Sequence, residues 1–205
     1  MKAEHTKERI LSQALTLFAQ KGYEAVSVEE IAAAVGIKAP SLYKHYKGKR
    51  DIFDHIVTHM NHQDAARAQA LRLPQGTPSE AAARYAQAPL EQIRTYSRAL
   101  FLHWTEEPFS AHFRRMLTLE QYRDPEMGRL YQHYLADGPI AYMTQLFRQM
   151  ADSDAQARQL ALAFYGPLYL LYSLSDGGWS REAVLAAVDG HIDRFAAELT
   201  DVAYC

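Results

Sequence analysis

The sequence predicts an all-α fold. Apolar residues recur at spacings of three and four along most of the chain, no stretch sustains a period-two alternation, and Gly or Pro pairs break the pattern at wide intervals. The 205 residues suffice for one large domain or a small domain joined to a larger one, and a hydrophobic content of 48% suffices for a core. No apolar run approaches the ~20 residues of a membrane span. The opening MKAEHTKERI is charged where a secretory leader is apolar. The single cysteine is Cys205, so no intrachain disulfide and no thiol metal cluster can form. The expectation is a soluble, cytoplasmic protein with no membrane partner and no cofactor.

The elements follow in order. Ile10, Leu11, Ala14, Leu15, Phe18 and Ala19 form one face of a first helix that Gly22 stops. Ser27 and Glu30 have the spacing of a capping box, opening a short helix that buries Ile31, Ala32 and Val35 and ends at Gly36. Ala39-Pro40-Ser41 starts the next, with proline near the first turn where its missing N–H does no harm. Leu42 and Tyr46 turn inward, and Gly48 breaks the pattern. Two short helices around a glycine turn, docked on a longer first helix, make a helix-turn-helix unit. A long helix spans Lys49 to about Leu73, and Pro74-Gln75-Gly76-Thr77-Pro78 is the clearest linker. Helical stretches then fit Ser79–Glu107 (bent near Pro89), Ser110–Tyr122, Pro125–Ala151, Asp154–Ser175 and Ser180–Thr200, with breaks at Asp124-Pro125, Gly138-Pro139 and Gly177-Gly178.

Charge divides the chain. Residues 1–50 carry nine Lys/Arg against five Asp/Glu, a balance of +4, while the remainder carries −6. Residues 36–53, GIKAPSLYKHYKGKRDIF, hold five cations and no acid before Asp51, with two tyrosines and a histidine between them. Such a front suggests an anionic partner, although a basic aromatic turn also occurs as a merely solvated face. The second helix of a helix-turn-helix enters the major groove by its N-terminal residues, here Lys38, Ala39, Ser41, Tyr43, Lys44 and His45. Lys44, Lys47, Lys49 and Arg50 suit phosphates, and the hydroxyls of Ser41 and Tyr43 can donate to phosphate oxygens.

The run ERILSQALTLFAQKGYEAVSVEEIAAAVGIKAPSLYKHYKGKRDIF resembles the N-terminal domain of the TetR/AcrR family of bacterial regulators, over about residues 5–60. The resemblance implies a three-helix DNA-binding domain at residues 1–50, a connecting helix at about 49–73, and a helical ligand-binding and dimerisation domain at 74–205. It implies a homodimer that represses transcription from a double-stranded DNA operator until a small molecule releases it. By position, Ser27, Ser41, Tyr43, His45 and Lys49 match the family's phosphate contacts. Lys38, Ala39 and Lys44 match positions that vary with the operator. Ala39 offers only a methyl group, and Lys38 could reach guanine or a phosphate.

The family dimerises through its last two long helices, which places Leu160, Phe164, Leu168, Leu171, Val184, Val188 and Phe195 at the expected interface. Gly166-Pro167 should kink the first of them. The middle helices are dense in aromatics, from which Tyr96, His103, Trp104, Phe113, Tyr122, Tyr142 and Phe164 are the expected lining of a pocket for a largely apolar effector. Aromatic stripes at helical spacing also serve as plain core. The connecting helix is the expected lever between pocket and DNA. On it Asp51, His55, His59 and His62 share one face, so the three histidines are weak candidates for a metal or a protonation switch. No G-x-S-x-G, P-loop or H-E-x-x-H occurs, and Glu106-Glu107 are adjacent, hence on different helix faces, so an enzyme is not expected. The alternative is a helical interaction or ligand-sensing module without specific DNA binding.

Overall fold

The computed structural model describes residues 2–70, 80–81, 83–84 and 88–202. The helices are α1 (Lys2–Lys21), α2 (Val28–Val35), α3 (Ala39–Leu42), α4 (Lys49–Ala70), α5 (Leu90–Thr105), α6 (Pro108–Glu120), α7 (Pro125–Leu135), α8 (Asp137–Phe147), α9 (Asp154–Asp176) and α10 (Arg181–Val202). No strand occurs among the described residues. The expected linker at 74–78 and the last turn of the connecting helix lie outside them. The stretch expected as Pro125–Ala151 is two helices, divided at Ala136, whose φ of −132° and ψ of −90° leave the helical region. No described helix is long and apolar enough to cross a membrane.

The chain divides into two compact units. The first comprises Met1–Gln69 with Glu107–Tyr131, so α6 and the start of α7 share a unit with the helix-turn-helix. Its core is the inward face of α1 (Ile10, Ala14, Leu15, Phe18), with Ile31, Leu42, Ile52, Ile56 and Met60, and with Phe113, Met116 and Leu117 from α6. Here α6 lies against α1. Side-chain caps start the two later helices: Glu107 accepts from Ser110 N–H at 2.8 Å, and Asp124 Oδ1 accepts from Glu126 and Met127 N–H at 2.7 and 2.9 Å.

The α1–α6 seam contains a titratable contact. The Thr16 hydroxyl, itself donating to Ser12 C=O, lies 3.3 Å from His112 Nδ1. Burial, and secondarily the Arg115 guanidinium, push the His112 imidazole below its ordinary value, against a smaller opposing pull from Glu107. The unfolded chain therefore takes up this proton first as pH falls. Its stabilising share is intact above the ordinary imidazole value of about 6.5 and is lost as pH drops from there toward the lower folded value. Urea midpoints at about pH 7.5 and about pH 5.5 should differ less in His112→Gln than in the parent protein.

The second unit comprises Ala70–Glu106 with Gln132–Cys205. In it α9 packs on α8 and α10. Helices α5 and α10 run antiparallel in a register that advances by four on one and retreats by four on the other. Arg94 pairs with Asp193, Arg98 with Asp189 at 3.0 Å, and Glu106 with Arg181 at 2.6 Å. Leu102 and Leu185 occupy the register position between the last two pairs. Inside, Tyr165 O–H donates to Leu135 C=O at 2.8 Å, and His191 Nε2 lies 2.7 Å from Phe164 C=O. Phe164, Phe195 and Phe147 form an aromatic cluster, with Phe164 and Phe195 5.0 Å apart and Phe147 5.6 Å from Phe195.

Candidate nucleic-acid interface

The interface is built from three consecutive helix starts. Ser27, in extended conformation at φ −95° and ψ 161°, caps α2 by accepting from Glu30 N–H at 3.1 Å. The expected reciprocal half of the capping box is absent. The Glu30 carboxylate pairs with the Lys21 ammonium instead, a charge-assisted bond that outcompetes a neutral backbone donor and holds this carboxyl below the usual range. Gly36 ends α2 at φ 76°, a left-handed turn, and Ile37 N–H returns to Ala32 C=O at 2.9 Å.

That turn aims α3 outward. Lys38 is its N-cap, Pro40 sits in its first turn, and Leu42 anchors it at full burial. Helical bonding continues past Leu42: His45 and Tyr46 N–H both donate to Leu42 C=O, at 2.8 and 3.1 Å. Tyr46 is buried with its hydroxyl directed at Lys7 C=O, and burial pushes that phenol up to about 12. Lys38, Tyr43 and Lys44 are exposed, Ala39, Ser41 and His45 half-buried, and all belong to one short segment. Tyr43, 52% exposed, offers its ring and hydroxyl to solvent, while Tyr46 alone serves the core.

Lys49 is held more closely than its role as a phosphate ligand suggested. Its ammonium donates to Tyr23 C=O at 2.9 Å and Glu24 C=O at 3.3 Å, and sits 4.3 Å above the Tyr23 ring. The Glu24 carboxylate is 3.7 Å away. Arg50, also expected to meet phosphate, forms a bidentate pair with Glu126 at 2.6 Å for each bond and a further bond to Asp54 at 2.8 Å. Exposed pairs of this kind add about 0–1 kcal/mol.

Asp51, grouped with the histidines in the sequence, sits in the first turn of α4 and accepts from Lys47 N–H, just ahead of the helix, at 2.7 Å. His55 donates from Nδ1 to Asp51 C=O at 2.7 Å, His59 packs at a tilt against Phe109 with ring centroids 4.5 Å apart, and His62 is exposed. The three histidines thus have separate surroundings. Among the described residues no group of three or more His, Cys, Asp or Glu is placed to hold a metal.

One residue of this region escaped the sequence reading. Glu120, at the end of α6, is 2% exposed and accepts from Tyr23 N–H at 3.0 Å through Oε1. The legible signal is its position: Phe113, Met116, Leu117 and Glu120 mark one inward stripe, and an acid on such a stripe needs a partner.

The residues expected around an effector are distributed over both units. His103 and Trp104 are buried neighbours in the second unit, with Tyr134 6.3 Å from Trp104. Phe164 belongs to the phenylalanine cluster, Tyr96 hydrogen-bonds Gln92, and Tyr142 is exposed. Phe113 is core of the first unit, and Tyr122 is 90% exposed in the turn after α6, past the end of the apolar stripe.

The expected interface residues differ in exposure. Phe164, Leu168, Leu171, Val184, Val188 and Phe195 are buried in the chain's own second unit, and Leu160 is half-buried. The outward face of α9 instead carries Leu162, Ala163, Gly166, Pro167, Tyr169 and Leu170. A helix apolar all round has two faces, and periodicity alone does not say which one meets its own body.

A Ser27→Ala variant removes a helix cap and a hydroxyl from this surface. It should cost about 1 kcal/mol of stability, readable in urea unfolding, with a separate loss in DNA affinity.

Residues 10–56 match the family described as bacterial regulatory proteins, tetR family. The chain is 41% identical over 51 residues to the biofilm operon icaADBC HTH-type negative transcriptional regulator IcaR of Staphylococcus aureus, covering 25% of this chain and 27% of that protein. The match thus spans about a quarter of the length of that relative. Along nearly its whole length the chain shares its fold with a putative TetR-family transcriptional regulator from Mesorhizobium loti, at TM-score 0.63 and 18% identity, covering 96% of this chain and 98% of that one. The flavonoid-responsive regulator FrrA has the same fold, at TM-score 0.54 and 21% identity, covering 95% and 97%. Residues 10–56 thus match the domain of the tetR family of bacterial regulatory proteins, and nearly the full length has the fold of the TetR-family structure from Mesorhizobium loti.

Proposed function

We propose that the chain is a DNA-binding transcriptional regulator: a homodimeric repressor that leaves a palindromic operator when a small, largely apolar molecule binds its second unit. The observation that carries this reading is the segment around α3, where Lys38, Tyr43 and Lys44 are exposed beside a half-buried Ser41, on a stretch anchored by Leu42 and free of acids from Gly36 to Arg50. IcaR is a negative regulator and FrrA responds to flavonoids, which supports repression and small-molecule control.

One helix-turn-helix makes few contacts, so tight binding calls for two, reading half-sites about 34 Å or more apart. The apolar outer stripe of α9 is the surface we assign to the second copy. Release is then a population shift: an effector that prefers the form with misplaced reading heads by ~100-fold supplies about 2.7 kcal/mol of bias. We assign the connecting helix α4 as the lever.

The test is selection from fragmented genomic DNA of the source organism at moderate salt, followed by sequencing of what is retained. A recurring inverted repeat is expected, and the genes beside it would indicate the chemistry of the effector. Retention without a recurring sequence, fading uniformly as salt rises, would overturn the operator reading and leave generic polyanion binding.

A further inference from the structure

The Lys49 ammonium has three N–H donors, two of which the carbonyls of Tyr23 and Glu24 occupy. Beside these carbonyls the ammonium has the Tyr23 ring, 4.3 Å below it, and the Glu24 carboxylate, 3.7 Å away on a side chain 86% exposed. An ammonium held on two fixed carbonyls, with its third proton opposed by a loosely held carboxylate, is prepared to exchange that carboxylate for another anion. Its position depends on those two carbonyls and hence on the turn that carries them.

That turn is fixed from far away in the sequence. Tyr23 N–H, the backbone donor of the residue that receives Lys49, is bound by Glu120 Oε1 at 3.0 Å. Glu120 is 2% exposed, and Arg123, at 3.6 Å, is its charge partner. Gly22 is buried beside it, so close that a Cβ there would lie 2.6 Å from the same oxygen. Tyr23 also packs against Phe18 at 5.0 Å and Phe53 at 5.5 Å. A chain of contacts therefore runs from the α6 carboxylate through the Tyr23 peptide to the Lys49 ammonium.

We propose that Glu120 is a positioning residue for the DNA-backbone contact of Lys49, acting through the Gly22–Glu24 turn. This rests on the DNA-binding reading above. Glu120 touches no nucleic acid in this scheme; it orders the carbonyls that hold the lysine. With alanine at 120 the turn loses its acceptor, the two carbonyls no longer converge, and the lysine disperses into solvent instead of presenting one proton to a phosphate. Glutamine keeps an oxygen in place for Tyr23 N–H and should preserve the arrangement.

The experiment measures binding of full-length protein to a mixed-sequence 30-base-pair duplex over a range of salt, for the parent, Glu120→Ala, Glu120→Gln, Lys49→Ala and Glu120→Ala/Lys49→Ala. Each phosphate contact contributes a slope of about 0.9 in log affinity against log salt. Lys49→Ala should lower the slope by about that amount per reading head, Glu120→Ala should lower it equally, and the double variant should lower it no further. Glu120→Gln should retain the parent slope. Amide exchange of the DNA-free proteins, read at Tyr23 to Val26, should accelerate in Glu120→Ala and not in Lys49→Ala. A role in stability alone would lower the unfolding midpoint of Glu120→Ala and leave its salt slope at the parent value, overturning the inference. So would additive slopes in the double variant. If the parent protein itself binds no duplex, the DNA-binding reading fails with it, a result distinct from parent binding with an unchanged slope in Glu120→Ala.

Discussion

Gly22→Ala is expected to destabilise the first unit by about 2–4 kcal/mol. Two costs coincide there. Gly22 has φ 88°, in the left-handed region that an L side chain enters at about 1–2 kcal/mol. Its Cβ would also meet Glu120 Oε1 at 2.6 Å, and Glu120 is too deeply buried to swing clear. Displacing that carboxylate strips Tyr23 N–H of its acceptor, worth about 1–3 kcal/mol for a buried donor. The reduced freedom of the unfolded chain returns only about 0.4–1 kcal/mol. Urea unfolding gives the total, and a cycle with Glu120→Ala divides it. In that background the close approach has gone, so Gly22→Ala should cost only its dihedral share; an undiminished cost would mean that the contact with Glu120 contributes nothing.

Structure set by local rules is legible in this sequence, and structure set by packing is less so. The helix-turn-helix was legible because its signals are local: Gly22 and Gly36 as left-handed stops, Ser27 as a cap, Pro40 in a first turn, and Leu42 and Tyr46 spaced to face inward. Side chains with several good partners were harder. Arg50 and Lys49 both read as free cations, because neither Glu126, distant by 76 residues, nor the carbonyls of Tyr23 and Glu24 are adjacent in the sequence. Glu120 lay in plain view as an acid on an apolar stripe, but its partner is a backbone N–H 97 residues away, which no side-chain pattern marks. Tyr122 failed for the opposite reason. Aromatic character suggested a lining, whereas its place beyond the last turn of α6 leaves it to solvent.

Helix α9 poses the hardest of these problems. Its inward residues Ala161, Phe164, Tyr165, Leu168, Leu171 and Tyr172 complete the core of the second unit, whereas Leu162 and Leu170 stand 45% and 58% exposed two turns apart. Ala163 and Gly166 lie between them on the same outer face, and a Cβ added at Gly166 would meet nothing within 4 Å. Large apolar side chains around small ones suit close approach of a second helix, and an exposed stripe of this kind marks an interaction surface. In a twofold interface each residue is used by both copies, so Leu170→Arg inserts two guanidinium groups at once. Like charges brought together there cost several kcal/mol; at about 4 kcal/mol the dimer dissociation constant rises roughly a thousand-fold. Sedimentation at micromolar concentration should then show monomer with unchanged helix content, and affinity for a two-half-site duplex should fall steeply with it. Leu168→Ala supplies the contrast, because Leu168 is buried in its own chain. That change should cost about 2–5 kcal/mol of folding stability without selectively weakening association. A Leu170→Arg protein that stays dimeric would move the interface off the outer face of α9.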